Sequence, residues 1–321
     1  MIRLLLAVAL AACALGVGGA HAQRYPSRPI TIIVPFPPGG STDTVARIMA
    51  EGMQPILGQP VVLDNVIGGS GRAGVEKLAR AAPDGYTIDI GQWDTHVGAI
   101  IHKFPFDLEK AFTPIGLISV NPQLLLARKT FEPNDLKGLI AWMKANPGKA
   151  TFSNQNGAAH VAGILLQKAT GADFRFVTYQ GAAPAMKDLV AGQIDLLMVQ
   201  AAAALPRMRA GTVKAIVNLS PQRSPTIPNL PTSADEGVPG FYMTGWFGFF
   251  APKGTPRSAI RKLNAAMVKV LADQRTRTRF AELGIDVAPR SLQSPEGFTA
   301  FRKVEIEAWW PIIKEAGLVT Q

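Results

Sequence analysis

The chain has 321 residues, a length that suggests about two domains, and carries 33 Lys+Arg against 23 Asp+Glu for a net charge of +10. The basic residues are scattered and not interleaved with aromatics, which excludes a nucleic-acid partner while favouring encounters with anions. The single cysteine, Cys13, falls in the leader described next, so the processed chain has neither disulfides nor thiolate catalysis.

Residues 1–22 read as a Sec-type signal peptide. Arg3 supplies the positive start, 4–17 the apolar core, and Ala20, His21 and Ala22 a small-x-small cleavage site. A lipoprotein signal ending at Cys13 is the competing reading. It would leave the apolar segment 14–19 directly after the anchor and strand the Ala-x-Ala site, so cleavage after Ala22 and a periplasmic location are expected. No later stretch is long and apolar enough to span a membrane.

The β-branched run Ile30–Val34 predicts a buried strand, stopped by Pro35, Pro37 and Pro38, which cannot donate to a sheet ladder. Gly39 and Gly40 give the turn its backbone freedom, and Ser41, Thr42 or Asp43 can cap the helix that follows. That helix carries Val45, Ile48, Met49, Met53, Ile56 and Leu57 on one face. A strand thus feeds a glycine turn whose free N–H groups suit an anion. The turn lacks the Gly-Lys-Ser/Thr ending of a nucleotide loop, which favours a carboxylate over a triphosphate.

Strands over 60–65 and 86–91 and a helix through Val75, Leu78 and Ala82 continue an α/β pattern with ligand chemistry beyond the strand ends. Gly69, Gly71 and Gly74 match a dinucleotide fingerprint, with Asp89 at the spacing of a ribose-binding acid. An exported chain has no nicotinamide pool, and the match lies on the second strand, so no cofactor is expected. Trp93, Asp94 and Thr95 follow the third strand. They read equally as cleft residues and as the cap of a helix over 96–102, and both roles can coexist. His96 and His102 are not at helical ligand spacing, and the other histidine past the leader is His160, so no metal site follows.

Two apolar runs, 115–120 and 124–127, are split by Asn121 and Pro122 and read as the crossing into a second domain. There a helix over 134–146 and a strand over 150–153 lead to a polar turn of Ser153, Gln155, Asn156 and Gly157, which opens a helix over 158–170. His160, in its first turn, reads first as a packing residue. A strand over 174–179 ends at Tyr179, and the turn of Gly181, Ala182 and Ala183 opens a helix over 184–191. A strand over 193–199 ends at Gln200, before a helix over 201–210. A strand over 214–219 and a proline-rich linker over 220–239 lead back, and 244–250 is a buried run in which Trp246 is a core aromatic first. Two helices close the chain, one capped by Thr255 with Pro256 at its first position and one opened by Ser294 and Pro295. Trp309 and Trp310 are expected to pack on the first domain.

With Pro26, Pro29 and Ile30 running into Val34, Pro35, Pro37, Gly39, Gly40 and Asp43, the chain resembles the Bug family, the extracytoplasmic solute receptors of tripartite tricarboxylate transporters. The likeness continues through Asn65, Gly69, Gly71, Gly74, 83–87, Phe112 and Pro114. It resumes at 146–148, Gly157, His160, Tyr179, Gly181, Gly192 and Asp195, and is completed by Arg223, Pro231, Thr232, Glu236, Gly237, Trp246, Ala251 and Pro252. It implies an α/β, two-lobed periplasmic binding protein fold, type II-like, closing on a small carboxylate between its lobes. The corresponding division is 23–120 and 221–321 for the first lobe and 121–220 for the second. The expected ligand-binding residues are Pro37, Gly39, Gly40, Ser41, Thr42, Asp43, Trp93, Asp94, Thr95, Ser153, Gln155, Asn156, Gly157, His160, Tyr179, Gly181, Ala182, Ala183 and Gln200.

Gln180 stands where many relatives have lysine, and Gln92, Trp93, Asp94 and 154–156 are bulkier than usual. A cleft with fewer charges and one tryptophan fits a monocarboxylate, aromatic ones included, at least as well as a tricarboxylate. The expectation is a monomeric receptor without catalysis, cofactor or metal, working with membrane permease subunits of such a transporter. The alternatives are a co-receptor for a membrane sensor and a periplasmic hydrolase; the second lacks a Gly-x-Ser-x-Gly elbow.

Overall fold

The computed structural model describes residues 25–155, 157–220, 223–224, 227–315 and 317–319. The leader with Cys13, and Asn156, lie outside them. The strands are β1 (Ile30–Val34), β2 (Val61–Asn65), β3 (Thr87–Gln92), β4 (Phe112–Arg128), β5 (Thr151–Asn154), β6 (Arg175–Thr178), β7 (Leu196–Gln200), β8 (Val213–Asn218), β9 (Thr244–Pro252) and β10 (Asp286–Val287). The helices are α1 (Ser41–Leu57), α2 (Arg72–Arg80), α3 (Trp93–His96), α4 (Leu136–Ala145), α5 (Gly157–Thr170), α6 (Ala182–Val190), α7 (Ala201–Arg209), α8 (Arg257–Ala272), α9 (Gln274–Glu282) and α10 (Pro295–Glu315).

The strands run β2-β1-β3-β9-β4-β7-β5-β6, with β8 and β10 also on β4. β1 pairs in parallel with β2 and β3, while β9 is antiparallel to both β3 and β4. The apolar runs around Asn121 and Pro122 are therefore one 17-residue strand. A proline interrupts a strand only where its missing N–H is needed. Pro122 pairs with Thr244 at the last register position of β9, and Gln123 opens the pairing with β7. The single strand β4 thus serves two sheets, one holding β1–β3 and β9, the other β5–β8.

Helix α1 buries Val45, Ile48, Met49, Met53 and Leu57, whereas Ile56, also on the apolar stripe, stays 39% exposed at the rim. Its start differs from the expected cap. Gly40 is the N-cap, and no side chain caps it. The helix expected over 96–102 is instead the four-residue α3 followed by a tight turn over 98–101, and Gln92 takes its N-cap position. Helix α8 begins at Arg257, so Pro256 is its N-cap and not its first helical residue, and the Thr255 hydroxyl donates to the Pro252 carbonyl. Helix α10 begins at Pro295 with the Ser294 hydroxyl accepting from the Gly297 N–H, as expected. Trp309 meets Trp93 edge to face with ring centroids 5.3 Å apart, and the Trp310 indole donates to the Val97 carbonyl. No helix among the described residues is long and apolar enough to cross a membrane.

Candidate binding cleft

Where the two sheets meet, the ends of β3 and β7 and the middle of β4 at Gln123 face the turns that open α1 and α6. Between them lies about 480 Å³ of non-atom space, open solvent included. Of the expected residues, Pro37, Gly40, Ser41, Thr42, Gln155, Ala182, Ala183 and Gln200 line it, joined by Phe36, Gln92, Gln123, Met198 and Val199. No charged side chain is among them.

Backbone geometry makes this space attractive to anions. Helices α1, α6 and α7 all begin on its wall, with Gly40, Gly181 and Gln200 as N-caps, and none of the three has a side-chain cap. An uncapped helix start presents unpaired N–H groups and the positive end of the helix dipole. Three of them converge from both sheets.

The first turn is held by Asp43, which is 2% exposed. Its carboxylate accepts from the Gly39 N–H at 3.0 Å, from Arg47 Nε at 2.8 Å and from Asn65 Nδ2 at 3.1 Å. Burial pushes this carboxyl up, but the bonds from Arg47, Gly39 and Asn65 outweigh it and hold the group below its usual range. Asp43 therefore spends its acceptors on the turn and does not line the cavity. Gly39, at φ +84°, needs the freedom only glycine has, whereas Gly40, at φ −80°, is ordinary extended backbone.

Other expected residues stand behind the wall. Trp93 is 1% exposed and packs on Trp309, so its indole is not offered to a ligand. Thr95 accepts from the Gln92 N–H, closing α3 on itself. Asp94 does not cap its own helix. It accepts from Gln92 Nε2 at 3.0 Å and from the Ala158 N–H at 2.6 Å, at the start of α5. Burial raises the Asp94 carboxyl to about 6, against the Ala158 bond that favours its charged form. Ser153 donates to Gln155. Gly157 opens α5 beside Asp94, and His160 packs edge-on against Phe176 with burial lowering its pKa. The Tyr179 hydroxyl donates to Asp188, and burial together with that carboxylate pushes it up to about 12. Gly181, at φ +111°, sits so that an added Cβ would lie 3.1 Å from Pro37, which brings the two turns together.

Gln123, missed in the sequence, and Gln92, noted there only as part of an unusually bulky segment, both end up in the cavity. Each sits at the point where a strand stops pairing with the β1–β3 sheet, a feature of tertiary pairing with no local signature. Among the described residues no group of His, Cys, Asp and Glu is arranged to hold a metal.

A two-lobed α/β fold with paired glycine turns on the cavity between its sheets is the architecture of a solute-binding receptor. The family model of the tripartite tricarboxylate transporter family receptor matches residues 45–318, and the chain belongs to that family. It is 34% identical over 323 residues to Protein BugT of Bordetella pertussis, covering 99% of this chain and 98% of the relative. Among solved structures it is similar to the periplasmic binding protein BugD, at 38% identity and a TM-score of 0.87, covering 92% of this chain and 100% of that one. MatC of Rhodopseudomonas palustris with bound malate matches at 35% identity and a TM-score of 0.86, covering 90% of this chain and 100% of that one.

Proposed function

We propose that this receptor holds a small organic carboxylate in the cavity between its lobes and delivers it to the membrane permease subunits of a tripartite transporter. The observation that carries this reading is the convergence of three uncapped helix starts, α1, α6 and α7, on one cavity with no charged side chain. Helix starts compensate a carboxylate with backbone N–H groups, so no arginine or lysine is required. That MatC is described with bound malate supports the same ligand class.

The reading includes a monomer exported by residues 1–22 and cleaved after Ala22. It divides the rest into a first lobe of 23–120 and 221–321 and a second of 121–220. The change of partner along β4 at Pro122 and Gln123, and the return of β9 to β3, support that division.

Mass spectrometry of acids co-purified from cells tests the ligand class, followed by thermal-shift titration of the acid found. Binding to the folded form alone stabilises it by about 2.7 kcal/mol at a hundredfold excess over Kd. If no carboxylate co-purifies and no organic acid in a library shifts the melting temperature, the proposal fails.

A further inference from the structure

Four glutamine side chains line the cavity, and they fall into two pairs. Gln92 is fully engaged, its Oε1 accepting from the Thr42 hydroxyl at 3.0 Å and its Nε2 donating to Asp94 at 3.0 Å. Gln155 is likewise engaged, accepting from Ser153 and donating to the Met198 carbonyl. These two amides are structural.

Gln123 and Gln200 differ. They are direct cross-strand partners on β4 and β7, are 3% and 6% exposed, and line the same cavity. Their buried oxygens have no hydrogen-bond partner. Gly245 on β9 lies beneath both. An added Cβ there would come within 3.0 Å of Gln200 Nε2 and 3.1 Å of Gln123 Nε2, so the missing side chain leaves room for the two amides together. A half-turn of the terminal bond exchanges oxygen and nitrogen, so each amide offers either a donor or an acceptor to the cavity. Buried amide oxygens are almost always paired, and a binding site that keeps two of them unpaired supplies partners for something that enters it.

We infer that Gln123 and Gln200 select, among small carboxylates, those that also carry a neutral group able both to donate and to accept a hydrogen bond, a hydroxyl or a primary amide. This rests on the carboxylate reading above. The helix starts take the carboxylate, and the amide pair takes the second group. An acid of the same skeleton without that group leaves two amides desolvated and unpaired, which is how a polar site rejects a close analogue.

Isothermal titration of the full processed chain with matched sets provides the test: propionate and lactate; succinate and malate; glutarate and 2-hydroxyglutarate; butyrate and succinamate; valerate and glutaramate. In the set that binds, the hydroxyl or amide member should bind about 10- to 100-fold more tightly than the plain acid. In Gln123→Met and Gln200→Met, which keep side-chain length without hydrogen bonding, the preference should shrink to roughly threefold or less, because the plain acid no longer buries an unpaired amide there. Two variants guard against one failing to fold. If the plain acid binds wild type as tightly, or the preference survives in both variants, the inference is wrong while the carboxylate reading stands. If no member of any set binds although an organic acid recovered from cells does, the inference is wrong while the carboxylate reading stands.

Discussion

The Asp94 carboxylate accepts a hydrogen bond at 2.6 Å from the backbone N–H of Ala158, 64 residues further along the chain. Asp94 lies on α3 beside the β1–β3 sheet and Ala158 in the first turn of α5 beside the other, so one buried carboxylate ties the two halves together behind the cavity. Through Gln92 and Thr42 the same carboxylate reaches the start of α1.

Removing it should loosen that tie. Asp94→Ala leaves the buried Ala158 N–H and Gln92 Nε2 without their acceptor, at a cost on the order of 1–3 kcal/mol, more than the loss of an exposed aspartate would give. Urea unfolding at pH 7.5 measures it. A change below about 0.5 kcal/mol, the range of ordinary surface substitutions, would show that the tie contributes nothing.

Stability should respond to pH through Glu305. Burial raises this carboxyl to about 7 from its ordinary 4.5, against the opposing hydrogen bond from the Trp246 indole at 3.2 Å. Between those values the folded protein holds a proton that the unfolded chain has released. The contribution is therefore fully present below pH 4.5 and lost as pH rises through 7. Glu305→Gln keeps an acceptor for Trp246 and removes the titration. From pH 4.5 to 8 the stability of wild type should fall relative to the variant by on the order of 2–3 kcal/mol. His96, which burial holds well below its usual range, works in the opposite direction but equally in both proteins. Parallel pH profiles for the pair would refute the assignment.

The two glycines of the first turn should separate stability from binding. Gly39→Ala forces a side chain into φ +84° and should cost about 1–2 kcal/mol even though the space around it is open. Gly40→Val meets nothing closer than the Pro37 carbonyl at 3.7 Å and no positive φ, so it should fold nearly as well. Its branched side chain projects at the mouth of α1, and the organic acid recovered by co-purification should bind at least tenfold more weakly, about 1.4 kcal/mol. Circular dichroism and calorimetric titration of both variants make the comparison. Normal binding by folded Gly40→Val would move the ligand away from this turn.

Ligand should also favour the closed arrangement, in which Pro37 and Gly181 are near neighbours. A ligand touching both turns binds that state better than an open one, and only such a difference can shift the equilibrium. Small-angle scattering should show a smaller radius of gyration with the co-purified acid than after its removal by unfolding and refolding. An unchanged radius would mean that binding does not draw the turns together.

Local signals decided much of this protein on their own. The β-branched run of β1, the proline stop, the glycine turn and the stripe of Val45, Ile48, Met49 and Met53 on α1 are short-range choices. Strand period, helix period and backbone freedom act over a few residues and can be read there. The glycine turns that line the cavity were legible for the same reason. Long-range partners were not. Asp43 looked like a cap or a ligand contact; Arg47, one helical turn on, is a local partner, but Asn65 reaches it only once β2 lies beside β1. Asp94 looked like the cap of its own helix, and its donor comes from α5. Pro122 looked like a break, yet it falls where β4 leaves β9 and needs no N–H. Whether Gln123 and Gln200 are idle polar residues or an unpaired amide couple depends on the register of β4 with β7 and on Gly245 beneath them. Local preferences cannot encode a contact between side chains that only the packing of two sheets brings within hydrogen-bond distance, so tertiary structure alone decided the polar wall of the cleft.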